Sequence, residues 1–327
     1  MNWQNLMELC MRPAPLGREE TVKEWIRGKL PDHVEITEDP AGSLIVRRPG
    51  EKPGLAFLAS LTQPTLLATG KTAEGSWCLQ PLGMGTPPAA ENGWRLTDGR
   101  GAAAALSVKE GVLQLTDETG IQAGTLLTRA PDWSQDEQAV RCSGLADRIG
   151  CWLLLELLQE LPDTKAEITC LFLAQEAHNP RTAELAANEI DPAVVLRIGA
   201  APVNNTGLTG APVAAEKGPA LKLRERYASA DGRLMDLLKS MCREGNIPYQ
   251  YELLEMTVTG LYTAQYGRCG VVIGGMDVPE ENGRILLSDL CSTRALVLAA
   301  AQNADRMLEE LASRPAGRHI RKICKRN

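Results

Sequence analysis

The sequence predicts an α/β fold, a mixed sheet flanked by helices, with a small β-barrel inserted into it. Three observations carry the prediction. Gly54–Leu61 is a continuous apolar run, the mark of a strand buried on both faces of a sheet, and the largely apolar segments Ala166–Ala174 and Ala193–Ile198 read as further buried strands. Helical patterns alternate with them, at Gly150–Leu161, Arg181–Glu189 and Leu234–Glu244, as crossover connections require. Between Thr65 and Ala139 this rhythm stops, and short alternating segments such as Trp77–Leu82 and Val112–Leu115 are spaced by Gly, Pro and Asp-Gly turns.

Each element follows from its local pattern. Asn5–Leu30 has helical spacing in Leu6, Leu9, Cys10, Val22, Trp25, Ile26 and Leu30, and Pro13 and Pro15-Leu16-Gly17 divide it into two helices. Val34–Glu38 and Ser43–Arg47 read as strands around the turn Asp39-Pro40-Ala41-Gly42. Pro219–Arg224, Pro248–Val258 and Gly270–Gly274 supply further strands, and Ser288–Ala312 closes the chain as one long amphipathic helix. The expected division is a discontinuous α/β domain of residues 1–64 and 140–313, an inserted barrel of 65–139 and a basic tail of 314–327.

The 327 residues are 44% apolar and 23% charged, which fits a globular protein and excludes disordered and fibrous classes. No apolar run has the length of a membrane span, since Cys151–Leu161 is interrupted by Glu156, Gln159 and Glu160. Met1-Asn2-Trp3-Gln4 lacks the basic start of a signal peptide. Nine cysteines without a C-x-x-C pair read as reduced, buried thiols, and the expected location is the cytoplasm. A net charge of −6 argues against nucleic-acid binding. The tail holds Arg318, Arg321, Lys322, Lys325 and Arg326; it reads as a solubilising end, with docking to an acidic partner as the other reading.

The most informative stretch is Ser143-Gly144-Leu145-Ala146-Asp147-Arg148-Ile149-Gly150-Cys151. It resembles the K-A-x-D-D-R-x-G-C signature of the tetrahedral-aminopeptidase (glutamyl-aminopeptidase) family of di-zinc metallopeptidases. Further matches run along the chain in order: Pro13-Ala14-Pro15-Leu16-Gly17-Arg18-Glu19, Asp39 to Ile45, Pro81-Leu82-Gly83, Lys217-Gly218-Pro219 and Asn246-Ile247-Pro248-Tyr249-Gln250. The resemblance implies a two-domain fold with a site at strand carboxyl ends facing the insertion. It also implies two divalent metals (zinc, cobalt or manganese), removal of N-terminal residues from peptides, and homo-oligomers formed through the inserted domain.

Set against that pattern, the implied ligands are replaced. Ser60 stands at the first His, with Thr62 at the Asp that orients it; Ala146 stands at the bridging Asp. In Gln175-Glu176-Ala177-His178 the general-base position keeps Glu176, while Ala177 removes the adjoining ligand. The strand whose Asp is the next ligand ends at Gly199, and the stretch Gly275–Glu281 has no His for the last. His33, His178 and His319 are the chain's histidines. A co-catalytic pair needs several His and carboxylate ligands around two metals. Losing them all predicts a homologue without an inherited metal pair, a catalytically inert peptide-binding, regulatory or assembly subunit with no cofactor. Replacing carboxylates by Ala and Gly also relieves the repulsion that they would feel without a metal.

Among the residues left in the cleft, Glu176 reads either as a general base or as a carboxylate paired with Arg148 or a backbone amide. Asp147-Arg148 holds the strand-to-helix turn by hydrogen bonds. His178 reads as a loop residue, or as half of a new metal site with Glu176. The alternative function is a hydrolase that uses Glu176 and replacement ligands such as Glu280, Glu281 or His178.

Overall fold

The structure, a computed structural model, describes residues 1–82, 94–176, 179, 181–204, 212–225, 228–254 and 271–312. It begins with helices α1 (Trp3–Cys10) and α2 (Glu20–Arg27) and strands β1 (Glu35–Glu38), β2 (Leu44–Arg48) and β3 (Glu51–Ser60). Six strands follow, β4 (Thr65–Lys71), β5 (Trp77–Leu82), β6 (Arg95–Thr97), β7 (Ala103–Lys109), β8 (Val112–Thr119) and β9 (Leu126–Arg129), and these close into a barrel. The barrel has a core of its own, including Ala68, Leu96, Ala104, Leu106, Leu115 and Leu127. Strands β10 (Ser134–Gln135) and β11 (Ala139–Arg141) leave the barrel and join β18 (Arg284–Leu286) in a three-stranded sheet.

The α/β part resumes with α3 (Ala146–Gln159), β12 (Ala166–Leu173), α4 (Arg181–Ile190), β13 (Val194–Pro202), β14 (Ala220–Glu225), β15 (Ala228–Ser229), α5 (Gly232–Glu244), β16 (Gln250–Leu254) and β17 (Val272–Glu280). After β18 come α6 (Leu287–Gln302) and α7 (Ala304–Ala312). The main sheet has nine strands in the order β1-β2-β12-β3-β13-β17-β14-β15, with β16 beside β14. The parallel centre β12-β3-β13-β17 is flanked by antiparallel pairings of β2 on β12 and of β14 on β17, which makes the sheet mixed.

Three expectations are corrected. The C-terminal amphipathic run is two helices, because α6 ends at Gln302, Asn303 caps it and α7 starts anew at Ala304. The strand read as Gly270–Gly274 runs from Val272 to Glu280, so Asp277 and Glu280 are strand residues. The helix read from Gly150 begins at Ala146, one turn earlier, which carries Ala146 and Asp147 into its first turn. Of the predicted strand Pro248–Val258, residues 255–258 lie outside the described residues, as do Gly83 and the tail.

The family-like motifs have local physical reasons. Gly150 lets α3 lie directly on the sheet, since a Cβ there would approach the Ile198 carbonyl oxygen to 2.6 Å and the Ala59 Cβ to 2.9 Å. Gly218 has φ of +75° and a Cβ there would sit 2.2 Å from the Pro248 carbonyl oxygen, so the Lys217-Gly218-Pro219 turn admits no side chain. Gln250 ties that turn to its own strand, its amide donating to the carbonyls of Ala214 and Gly218 at 2.8 and 2.9 Å. Buried Asp289 on α6 accepts from the backbone N–H groups of Glu216 and Gly218.

Candidate functional site

Three segments converge at the carboxyl ends of the central strands. Register pairs Leu173 at the end of β12 with Ser60 at the end of β3, and Gly199 of β13 with Asp277 of β17. The β3–β13 pairing, Arg197 beside Leu58, continued by two residues, sets Ser60 next to Gly199. The positions read from the sequence as Ser60 and Gly199 therefore share one row of the sheet.

Buried Glu19, from the Pro13–Glu19 motif, fastens these segments. It accepts the Thr62 hydroxyl at 2.7 Å and the Gln175 N–H at 3.3 Å, and the Gln175 N–H also reaches Thr62 Oγ1 at 2.7 Å. Gln175 has φ of +59°, a region that non-glycine residues seldom occupy. Its side chain donates to the Ala41 carbonyl at 3.0 Å and so helps to hold the backbone in that conformation just ahead of Glu176. Ser60 is half-buried, and its carbonyl accepts from the Cys151 thiol at 3.1 Å.

Arg148 is fully buried, and its guanidinium donates to the Leu61 carbonyl at 2.6 Å and to the Arg12 carbonyl at 3.0 Å. It locks the start of α3 to the end of β3 and to the loop after α1, so Arg148 does fasten the strand-to-helix turn. The suggested Glu176–Arg148 pair is not how Glu176 is held. Its ion-pair partner is Arg197 of β13, with Nε 3.6 Å from Oε1, and the Glu176 side chain is 0% exposed.

Arg197 is the residue that the sequence reading missed. Its Nη1 lies 4.0 Å from Asp277 Oδ1, and on the other side of Asp277 the Lys222 ammonium lies 2.7 Å from Oδ2. Lys222 also faces Glu225 at 3.8 Å and Glu252 at 3.6 Å. A buried ladder thus crosses the sheet beneath the surface, charged through Arg197, Asp277 and Lys222 on β13, β17 and β14 and ending at the Glu252 carboxyl on β16. Burial opposes the charge on both cations, but the carboxylates around them raise the Arg197 and Lys222 pKa values. Burial acts against Asp277 too, yet Lys222 and Arg197 hold its carboxyl below its ordinary range. Glu252 is pushed up to about 8 by burial, with Lys222 opposing and Asp277 adding to the rise. A sequence signal was present: Arg197 is an isolated charge inside apolar β13 and Asp277 an interior charge of β17, where a buried charge requires a partner.

Gly199 completes this geometry. A Cβ built there would stand 2.3 Å from Arg197 Nη1 and 3.1 Å from Asp277 Oδ1, so the guanidinium fills the space that a side chain at position 199 would need.

At the rim, half-buried Ala146 and Asp147 open α3. Burial pushes Asp147 up to about 7, with Arg148 opposing and Glu280 adding to the rise. Glu280 ends β17, accepts from the Gly283 N–H and is itself raised, mainly by burial and also by exposed Glu281. Ala177 and His178 lie outside the described residues. Among the described residues no three His, Cys, Asp or Glu form a group able to hold a metal ion.

A family model described as M42 glutamyl aminopeptidase matches residues 109–283. A putative aminopeptidase of Escherichia coli strain K12, FrvX, is 24% identical over 312 residues, covering 85% of this chain and 86% of that protein. Among solved structures, the aminopeptidase APDkam598 from the archaeon Desulfurococcus kamchatkensis superposes with a TM-score of 0.83 at 19% identity, over 94% of this chain and 96% of that one. The TET1 peptidase of Pyrococcus horikoshii, which can assemble into a tetrahedron or a large octahedral shell, gives 0.77 at 21% identity, over 92% and 99%. At such identities the structural likeness establishes the shared fold.

Proposed function

The chain belongs to the M42 glutamyl aminopeptidase family, and we propose that it is a member without peptidase activity, acting as a peptide-binding, regulatory or assembly subunit. One observation carries the proposal. The side chain at the general-base position, Glu176, is wholly buried against the Arg197 guanidinium. A general base must reach the proton that it removes, directly or through one water. A carboxylate held in this way is spent on neutralising an internal cation. Ser60, Ala146 and Gly199 supply no carboxylate or imidazole around it, and Ala177 is read in the same way from the sequence.

The cleft between the α/β part and the barrel is the proposed peptide site, with Asp147, Glu280 and Glu281 at its edge; Thr62 and Arg148, read from the sequence as cleft residues, are buried. We take residues 65–139 as the inserted unit through which copies of the chain assemble in the cytoplasm. This assembly is supported by the shell-forming relative, and no helix among the described residues is long and apolar enough to cross a membrane.

The test is an assay of purified protein on a panel of aminoacyl peptides with zinc, cobalt or manganese added, alongside calorimetric titration with the same peptides. Binding without turnover is the expected result. Turnover lost in Glu176→Gln would overturn the proposal. The second reading is a hydrolase that uses Glu176 with replacement ligands such as Glu280, Glu281 or His178; it gains support at the rim, where burial and neighbouring Glu280 raise Asp147 to about 7. On that reading turnover exists, depends on added metal and disappears in Glu176→Gln.

A further inference from the structure

A metal pair requires a crevice whose oxygen and nitrogen lone pairs are aimed at a cation and left uncompensated by other positive charge. Here the carboxylates lining the ends of β13 and β17 already face side-chain cations. We infer that Arg197, backed by Lys222 across Asp277, is the resident counter-cation of this crevice and stands where a divalent metal pair would otherwise sit, so that the chain folds without metal and does not take it up.

The geometry carries this in three parts. Both oxygens of Asp277 are engaged, Oδ1 by Arg197 and Oδ2 by Lys222. A metal ion there would compete for those oxygens and would stand within a few ångströms of two positive charges. Next, the Arg197 guanidinium reaches Glu176 and Asp277 together, bridging two carboxylates that come from different strand ends. Bridging anionic oxygens is the task of a metal in such a crevice, and here a permanently charged guanidinium supplies the positive charge between them at ion-pair distance instead. Last, the space is closed. The 2.3 Å that would separate a Cβ at position 199 from Arg197 Nη1 makes the glycine and the arginine one adaptation. The crevice has therefore exchanged a ligand side chain for a cation. A family metal pair does not fit these residues.

The inference deepens the proposed inactivity and rests on it only in locating the crevice, and its test is independent of turnover. The full chain, produced with zinc in the medium, is dialysed and its metal content measured by mass spectrometry. Its thermal midpoint is then followed with EDTA and with added zinc. The expected result is no stoichiometric zinc and no movement of the midpoint in either direction. One or two equivalents of retained zinc, or a midpoint that falls in EDTA, overturns the inference.

In the second arm, Arg197→Gln lowers the midpoint by roughly 5–10 °C through the uncompensated carboxylates left behind. Adding Glu176→Gln recovers part of the loss. A single variant as stable as wild type, or a double variant with no recovery, overturns the assignment of Arg197. If Arg197→Gln does not fold, the metal measurements on the wild-type chain decide. Failure of the two proposals is distinguishable: a metal-free chain that hydrolyses peptides sinks the inactivity alone, and a zinc-loaded chain without turnover sinks the resident cation alone.

Discussion

The two faces of the central sheet are made by the same strands and held by different physics. On the α3 face, Leu55, Phe57, Ala59, Leu196, Ile198, Met276 and Val278 meet Trp152 and its neighbours in one apolar cluster. On the α4 face, the β12–β3 half is likewise apolar, with Ala56, Leu58, Leu171 and Leu173 against Ala183, Ala186 and Ile190. Val195 and Ile273 extend that apolar patch onto β13 and β17, and towards the strand carboxyl ends the face changes, carrying Arg197, Asp277, Lys222 and Glu252. Apolar contacts are non-directional and add up atom by atom, so such a face tolerates change in proportion to the volume removed. A buried ion network is directional and close to all-or-none, because each member neutralises another and removing one strands its partner.

Chemical denaturation of variants probes this contrast. The largest effect is expected at Arg197. Arg197→Gln is expected to lose about 3–5 kcal/mol, the size associated with breaking a buried pair. The loss should be strongly non-additive with Glu176→Gln, whereas strict additivity would show that the two side chains are not energetically linked. The adjoining residue on the apolar face supplies the control. Leu196→Ala is expected to lose about 2–5 kcal/mol through the cavity left behind. That loss should add simply to the loss in Glu176→Gln, and marked coupling would break the separation of the faces.

Gly199→Ala is expected to cost about 1–3 kcal/mol by overpacking against the guanidinium. The same substitution in an Arg197→Gln background should cost less, and an equal cost in both would remove Arg197 as its cause.

The charged face should also respond to pH. Glu252 is raised to about 8 in the folded state, far above its value in an unfolded chain. The folded form therefore holds a proton that the unfolded form has released. Its contribution to stability is full below the unfolded pKa and is lost as pH rises towards and through 8. Glu252→Gln should accordingly gain stability relative to wild type at pH 8 and little or none at pH 4, as read by urea midpoints at the two pH values. An offset that does not change with pH would remove Glu252 from the titrating network. The smallest effect is expected at the rim, where exposed Glu281→Ala should shift stability by less than about 0.5 kcal/mol.

Much of this was legible in the residues themselves. The alternation of apolar segments with helical patterns located β3, β12, β13 and the helices around them, because burial on two faces of a sheet leaves a largely hydrophobic signature. The change of pattern after Thr65 pointed to the barrel for the converse reason: strands with one wet face alternate. The motif glycines were also readable, since Gly150 and Gly218 stand where backbone or helix passes within about 3 Å of the missing Cβ. The break at Asn303 was less legible, because the apolar periodicity of α6 and α7 runs on through it.

The electrostatic reading failed at one informative point. Of the partners that the sequence suggests for Glu176, Arg148 or a backbone amide, Arg148 is otherwise engaged, since its guanidinium donates to the carbonyls of Leu61 and Arg12. Arg197 lay unnoticed within an apolar strand, where its charge was itself the sign that a buried anion had to be near.

By itself, then, the sequence determined the family, the alternation of strands and helices and the barrel. Those features are written in local composition and order. Only the tertiary structure decided which side chains meet beside Gly199. Glu176, Arg197, Lys222 and Asp277 lie on separate segments of the chain and meet because parallel strands bring their ends into one row. Ion pairing depends on distance in space, and a chain read in order does not state that distance.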